Sequence, residues 1–263
     1  MGNRVTVSAD GAAVITVGEH QESFGLVVGA DGIRSDARQR WGLDRGLRYA
    51  GYTAWRGVAP ASGHLADAAG ETWGDGARFG IVPLPDDQVY WFATLATAPG
   101  GIDADAHSTL RQLFSSWHAP IAQLLDATPD GTVLRHDISD LAEFPPSFVR
   151  HRGVLLGDAA HAMTPDLGQG AGQAIEDAAT LVLLLRDLPA GADQSALDAA
   201  LTRYDHLRRP RTRALWQQSR RTGAVGQATG TRGRLRDTAL RLIPPSLMVR
   251  AMTRVQRWAP PSH

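Results

Sequence analysis

Hydrophobic positions along the chain divide it into a β-rich beginning, a β-rich middle and a helical end. Arg4-Val5-Thr6-Val7 and Ala13-Val14-Ile15-Thr16-Val17 alternate around Asp10-Gly11, which predicts a hairpin. A third strand is expected over Phe24 to Gly29, and its unbroken run Leu26-Val27-Val28 suits burial on both faces, as in a parallel sheet. From about Tyr49 to His136 strands dominate again. Arg78 to Leu84 and Gln88 to Thr97 flank the turn residues Pro85-Asp86-Asp87, and Trp55, Trp73 and Trp91 fall in or beside these strands. The tryptophans read first as core and second as walls of an aromatic pocket. Ala104 to Trp117 carries Leu110, Leu113, Phe114 and Trp117 at helical spacing.

A second short buried strand, Val154-Leu155-Leu156, runs into Gly157-Asp158. Beyond it Ala171, Ala174, Ile175, Ala178, Leu181, Val182 and Leu185 share one helical face. That spacing predicts a helix to about Leu185 with Ile175, Ala178 and Val182 buried. Ala196 to Trp258 reads as mostly helical, broken at Pro210 and at Pro244-Pro245. Arg208, Arg209, Arg211, Arg213, Arg220, Arg221, Arg232, Arg234 and Arg236 crowd there. A solvated helix face is the plain reading; a nucleic-acid surface has no accompanying binding motif.

Composition narrows the partners. The 263 residues are 43% hydrophobic, enough for a packed core, and their formal net charge is zero. All 27 basic residues are arginine, and there is no cysteine, which excludes disulfides and thiolate metal sites. The most apolar run, Ala178 to Leu185, is less than half of the ~20 residues a membrane span needs. A cytoplasmic protein with no membrane and no nucleic-acid partner is the expectation. Met1-Gly2-Asn3-Arg4-Val5-Thr6 fits a myristoylation pattern, but a pattern that short recurs by accident.

Two stretches carry chemistry. In Val27-Val28-Gly29-Ala30-Asp31-Gly32-Ile33-Arg34-Ser35-Asp36-Ala37-Arg38 a strand ends at a glycine, a turn follows, and Ser35 can cap a helix that stops near Gly42. Ligands bind beyond the carboxyl ends of strands in α/β sheets, so Asp31 reads equally as a hydroxyl acceptor and as an ordinary turn residue. The stretch Gly157-Asp158-Ala159-Ala160-His161-Ala162-Met163-Thr164-Pro165-Asp166-Leu167-Gly168-Gln169-Gly170-Ala171-Gly172 is more specific. A strand again delivers an aspartate, and glycines open a helix. Its first N–H groups are then bare, and the positive end of the dipole faces whatever sits there.

Val27 to Arg38 resembles the Asp-Gly motif of the flavoprotein aromatic hydroxylases, the p-hydroxybenzoate hydroxylase-like family, and Gly157 to Asp177 resembles that family's Gly-Asp motif. Trp55-Arg56-Gly57 and Phe79-Gly80-Ile81-Val82-Pro83-Leu84 are similar to its urate hydroxylase and zeaxanthin epoxidase-like branch. The resemblance implies an FAD-dependent, NAD(P)H-consuming monooxygenase that inserts one atom of dioxygen into an aromatic or other electron-rich small molecule through a flavin C4a-hydroperoxide. It implies cofactor contacts at Asp31, Gly32, Arg38, Gly157, Asp158, Pro165, Gly168, Gln169, Gly170 and Ala171. The implied substrate pocket holds Arg56 with Trp55, Phe79 and Trp91. His161 matches a family position but is expected to be a packed, hydrogen-bonded residue without an acid–base role.

The chain departs from the family in one large respect. No opening strand, Gly-x-Gly-x-x-Gly turn and acidic ribose partner precede residue 27, so an N-terminally truncated enzyme with weakened hold on FAD is expected. Gly172 also stands where many relatives carry asparagine. The resulting expectation is an α/β fold. A partial Rossmann-like FAD-binding sheet comes from residues 1–48 and 150–188, a β-rich substrate part from 49–149, and a helical tail from 189–263. The alternatives are an inactive remnant acting as a binding protein, a basic-tailed binding module, and a flavin halogenase or reductase of related fold.

Overall fold

The computed structural model describes residues 4–7, 13–17, 20–60, 69–101, 105–186, 188, 193–244, 246, 250, 253 and 255–261. The Asp10-Gly11 turn, Met1 to Asn3, Ala104 and Pro245 lie outside them. The chain divides into two units. Unit 1 comprises Met1–Arg48, Ser139–Thr222 and Pro244–His263; unit 2 comprises Tyr49–Ile138 and Gly223–Ile243. The helices after residue 189 do not stand as a separate tail; they are shared between the two units.

Unit 1 opens with three antiparallel strands, β1 (Arg4–Val7), β2 (Ala13–Val17) and β3 (His20–Phe24), in that order. The strand expected over Phe24 to Gly29 is in fact two. β3 ends at Phe24, Gly25 forms a bend, and β4 (Val27–Gly29) enters a different sheet. That sheet has the order β10 (Val149–Arg150), β11 (Gly153–Leu155), β4. β11 and β4 are parallel, with Gly153 opposite Val27, Val154 opposite Val28 and Leu155 opposite Gly29. The helix α1 (Asp36–Arg40) packs on this pair at close range: a Cβ on Gly29 would lie 2.8 Å from Leu155 and 2.9 Å from Ala37. Ser35 caps α1 by accepting from the Arg38 N–H, as its sequence predicts.

The core of unit 1 is built from Val27, Trp41, Phe148, Val154, Leu155, Leu181, Leu201 and Tyr204. It draws on α5 (Gly170–Leu185) and α6 (Gln194–Gly226). Helix α6 runs through Pro210 without a break. Pro210 and His206, whose carbonyl loses its helical partner, are both exposed, so water can satisfy that oxygen. Much of the arginine crowd is consumed inside the protein. Arg208 and Arg211 pair with Glu176, Arg209 with Asp205, Arg220 with Asp140, and Arg236 with Asp237.

Unit 2 is a five-stranded sheet with the order β6 (Gly70–Trp73), β7 (Ala77–Leu84), β8 (Gln88–Ala96), β5 (Leu47–Pro60), β9 (Leu134–Leu141). The β7–β8 hairpin closes with Leu84 opposite Gln88 across a three-residue loop, in which Asp86 and Asp87 take left-handed φ of 59° and 51°. One face is covered by α2 (Ala106–Phe114) and α3 (Ile121–Ala127). Trp55, Phe79, Trp91, Ala93, Leu110, Phe114, Ile121 and Leu124 form its core, with Phe79 stacked on Trp91 at 5.6 Å. The last helix, α7 (Gly230–Leu242), is tied to this unit by Arg236, which donates to the carbonyls of Gly226 and Gly74.

Candidate cofactor site and substrate face

The parallel pairing of β4 and β11 decides where the two motif aspartates go. Because Gly29 and Leu155 are register partners, Asp31 and Asp158 leave neighbouring strands at the same, carboxyl, end. Asp31 then turns back to α1, accepting from the Ala37 N–H at 3.0 Å. Burial pushes its carboxyl up, but hydrogen bonds from Ser35 and the backbone outweigh this and hold it below its ordinary value of 3.8. Asp31 is thus an ionised acceptor at a strand end. Asp158 begins the short helix α4 (Asp158–His161) and is exposed.

The loop after α4 brings α5 to the same place. Pro165–Leu167 form a 3-10 turn, and Gly168 caps it in the left-handed conformation at φ 62°. Helix α5 then starts at Gly170 with Gln169 as a cap that makes no side-chain hydrogen bond, so its first N–H groups have no capping side chain. Pro165, Gly168, Ala171 and Gly172 are exposed, and a Cβ on Gly170 would lie 4.0 Å from Asp158 Oδ1 with nothing nearer. No internal packing therefore demands glycine at 170 or 172. Acceptors at two strand ends suit the hydroxyls of a ribityl chain, and a bare helix start suits an electron-rich carbonyl. The small, open surface between them admits a flat ring, so these residues fit a flavin.

Arg38 takes no part in that surface. Its guanidinium is buried, with Nε on Asp44 at 2.6 Å, Nη1 on the Ala159 carbonyl at 2.9 Å and Nη2 on the Ile33 carbonyl at 2.6 Å. All three guanidinium nitrogens thus donate to protein acceptors inside the fold. Its position ties the Asp31 turn to the strand end of Asp158, in place of the cofactor contact expected of it.

Helix α5 buries the opposite side from the one its apolar spacing predicts. Ile175 is 71% and Val182 63% exposed, and Ala178 is exposed as well. Gln173, Glu176, Asp177 and Thr180 are inside, with Leu181. The cause is a buried ionic cluster. Asp177 accepts from the Gly157 N–H at 2.9 Å, His161 Nε2 at 2.6 Å and Arg208 Nε at 2.6 Å. Glu176 accepts from Arg208 Nη1 at 2.6 Å and from Arg211 Nε and Nη2 at 2.7 and 2.8 Å. His161 is fully buried and serves this cluster.

In unit 2, strand alternation separates the residues expected to share a pocket. Trp55, Phe79 and Trp91 point to the face that α2 and α3 cover, and the Trp91 Nε1–H is spent on the Thr128 hydroxyl at 2.8 Å. Arg56, one residue on from Trp55, points to the other face and donates from Nη1 to Tyr90 Oη at 2.9 Å. That face holds Phe92, whose ring lies across Gly80 so closely that a Cβ there would sit 2.0 Å away. Tyr90 and Phe92 are the aromatic residues beside Arg56, and period-two parity from Arg56 through the register partner Phe92 would have found them.

Among the described residues no group of three histidines and carboxylates is placed to hold a metal, and no helix is long and apolar enough to cross a membrane. Residues 10–219 match the model of a family described as an FAD binding domain. The chain is 48% identical over 204 residues to the aurachin C monooxygenase/isomerase of Stigmatella aurantiaca, covering 77% of this chain and 51% of that protein. It is 38% identical over 228 residues to the 2-heptyl-3-hydroxy-4(1H)-quinolone synthase of Pseudomonas aeruginosa, covering 83% and 56%. The crystal structure of Klebsiella pneumoniae HpxO complexed with FAD and uric acid superposes with a TM-score of 0.86 at 28% identity, covering 97% of this chain and 66% of that one. The chain spans about half the length of the curated relatives it matches.

The cluster around Asp177 sets an acid limit on stability. Burial raises its carboxyl, but His161 and Arg208 outweigh that and hold it below 3.8; for Glu176, burial is likewise outweighed by Arg211 and Arg208, below 4.5. Both groups are more acidic folded than unfolded. Their contribution is complete above those ordinary values and is lost as pH falls through the lowered folded ones. Thermal melting should be level from about pH 7 to 5 and fall steeply below about pH 4. A melting temperature unchanged down to about pH 3 would contradict the pairing.

Proposed function

The chain belongs to the FAD binding domain family, and from that membership we propose that it serves an FAD-dependent, NAD(P)H-consuming monooxygenase acting on an electron-rich aromatic small molecule. The observation that carries the reading is the meeting of Asp31, Asp158 and the uncapped start of α5 at the carboxyl ends of two parallel strands. Asp158 and Asp31 would accept from ribityl hydroxyls, and the N–H groups at Gly170 and Ala171 would face the electron-rich edge of the ring system. Bound FAD supplies the redox chemistry, taking electrons from NAD(P)H and activating dioxygen for transfer of one atom to the substrate. The protein's part is to bind, orient and stabilise negative charge with donors already in place.

The face of unit 2 that carries Arg56, Tyr90 and Phe92 supplies the substrate contacts in this reading. Arginine cannot accept a hydrogen bond, so the contact from Arg56 Nη1 fills an acceptor site on Tyr90 Oη and leaves the phenolic proton to be donated elsewhere. A ring carbonyl or the oxyanion derived from it is the matching acceptor. Two relatives are named for a 4(1H)-quinolone and for urate, both nitrogen heterocycles with ring carbonyls. A carbonyl-bearing nitrogen heteroaromatic is accordingly the proposed substrate class, with Phe92 offering a ring to stack on.

Two substitutions separate the parts. Gly170→Leu places a side chain in open space, so the fold should melt as the parent does while FAD content, read by visible absorbance of the full gene product, falls close to zero. Unchanged flavin content would end the loop's role. Tyr90→Phe should leave flavin content intact and lower kcat/KM for such a substrate by about 10- to 100-fold. An unchanged kcat/KM would remove Tyr90 from the substrate site.

A further inference from the structure

Arg208 is 1% exposed and lies on α6, far in sequence from either motif. Its Nε donates to Asp177 Oδ1, its Nη1 to Glu176 Oε2, and its Nη2 to the side-chain and backbone oxygens of Gln173 at 2.8 and 3.2 Å. Asp177 divides its two oxygens between two tasks. Oδ1 meets the guanidinium, while Oδ2 accepts from the Gly157 N–H and from His161 Nε2. Gly157 is the residue before Asp158 and holds φ at 59°, a conformation open to glycine and not to residues with a Cβ. Arg211 offers a natural contrast. It pairs with Glu176 through two bonds and reaches the Val255 carbonyl, and its bonds all bypass Asp177.

We propose that Arg208 is a positioning residue for the cofactor loop, acting through Asp177 on Gly157 and His161 to fix the strand end that presents Asp158. The inference rests on the flavin reading above. Without the guanidinium, a carboxylate at zero exposure has lost a permanent counter-charge and is driven toward protonation. A neutral Asp177 is a weaker acceptor, so the Gly157 N–H and His161 Nε2 contacts on Oδ2 lose their charge assistance. The Gly157 backbone is then held less firmly, and Asp158 with it. Lysine at 208 restores the charge but offers a point donor in place of the planar fork that meets Asp177, Glu176 and Gln173 together.

The test compares FAD dissociation constants, from flavin fluorescence quenching, with amide hydrogen exchange at Gly157 in the full gene product and its variants. Arg208→Gln should weaken FAD about tenfold or more and speed exchange at Gly157. Arg208→Lys should recover part of both losses. Arg211→Gln, which breaks a comparable ion pair without touching Asp177, should stay within about twofold of the parent. If Arg208→Gln does not fold, Arg208→Lys and the isosteric Asp177→Asn decide, each weakening FAD and speeding Gly157 exchange. Parent-like FAD binding in folded Arg208 variants overturns the inference, as does an Arg211→Gln loss equal to that of Arg208→Gln. Asp158→Ala binding FAD as the parent does would instead overturn the flavin reading beneath it.

Discussion

A single carboxylate that must stay ionised out of water organises the cofactor unit. Asp177 is fully buried, and an isolated ion there would cost several kcal/mol, so donors have to converge on it. They come from three parts of the chain: the end of β11 through the Gly157 N–H, α4 through His161, and α6 through Arg208. Each donor fixes its own element. Helix α5 must turn its polar side inward to carry Asp177 and Glu176, and α6 must pass beside it to bring Arg208. A buried ion cluster of this kind is weak evidence of net stability, because an apolar core of equal volume does as well. Its value is geometric: it sets where the strand end and the glycine loop stand.

Glycines in the molecule fall into two groups that the packing distinguishes. Gly29, Gly153 and Gly80 are small because something already fills the space beside them: Leu155 and Ala37, Trp41, and Phe92. Gly170 and Gly172 have no such neighbour, and Gly168 stands in open space at a positive φ. At Gly170 and Gly172 nothing inside the protein fills the space beside the backbone, which leaves room there for a ligand.

Much of this was legible in the residue pattern. The strands on either side of Pro85-Asp86-Asp87, the Ser35 cap and the parallel pairing of Val27 and Val28 follow from local chemistry, although Val28 is 43% exposed and the burial on both faces that the run suggests is not realised. Three features were not legible, each for a definite reason. Apolar spacing assigned α5 the wrong buried face, since a periodicity argument assumes that polar residues point to water, and Glu176 and Asp177 point to arginines. Trp55 and Arg56 were placed on one wall although adjacent strand residues face opposite ways. Arg38 sits inside a recognisable motif, yet its carbonyl partners at Ile33 and Ala159 lie on backbone that no side-chain pattern reveals.

The central claim is that the paired strand ends and the start of α5 hold the flavin. Hydrogen–deuterium exchange of the full gene product, with and without saturating FAD, tests it most directly. The account predicts slowed exchange at the backbone amides of 157–158 and 170–172 and in the turn at 31–35, with the α2–α3 side of unit 2 unchanged. Protection confined to other segments, with those amides exchanging as fast as in the flavin-free protein, would contradict it.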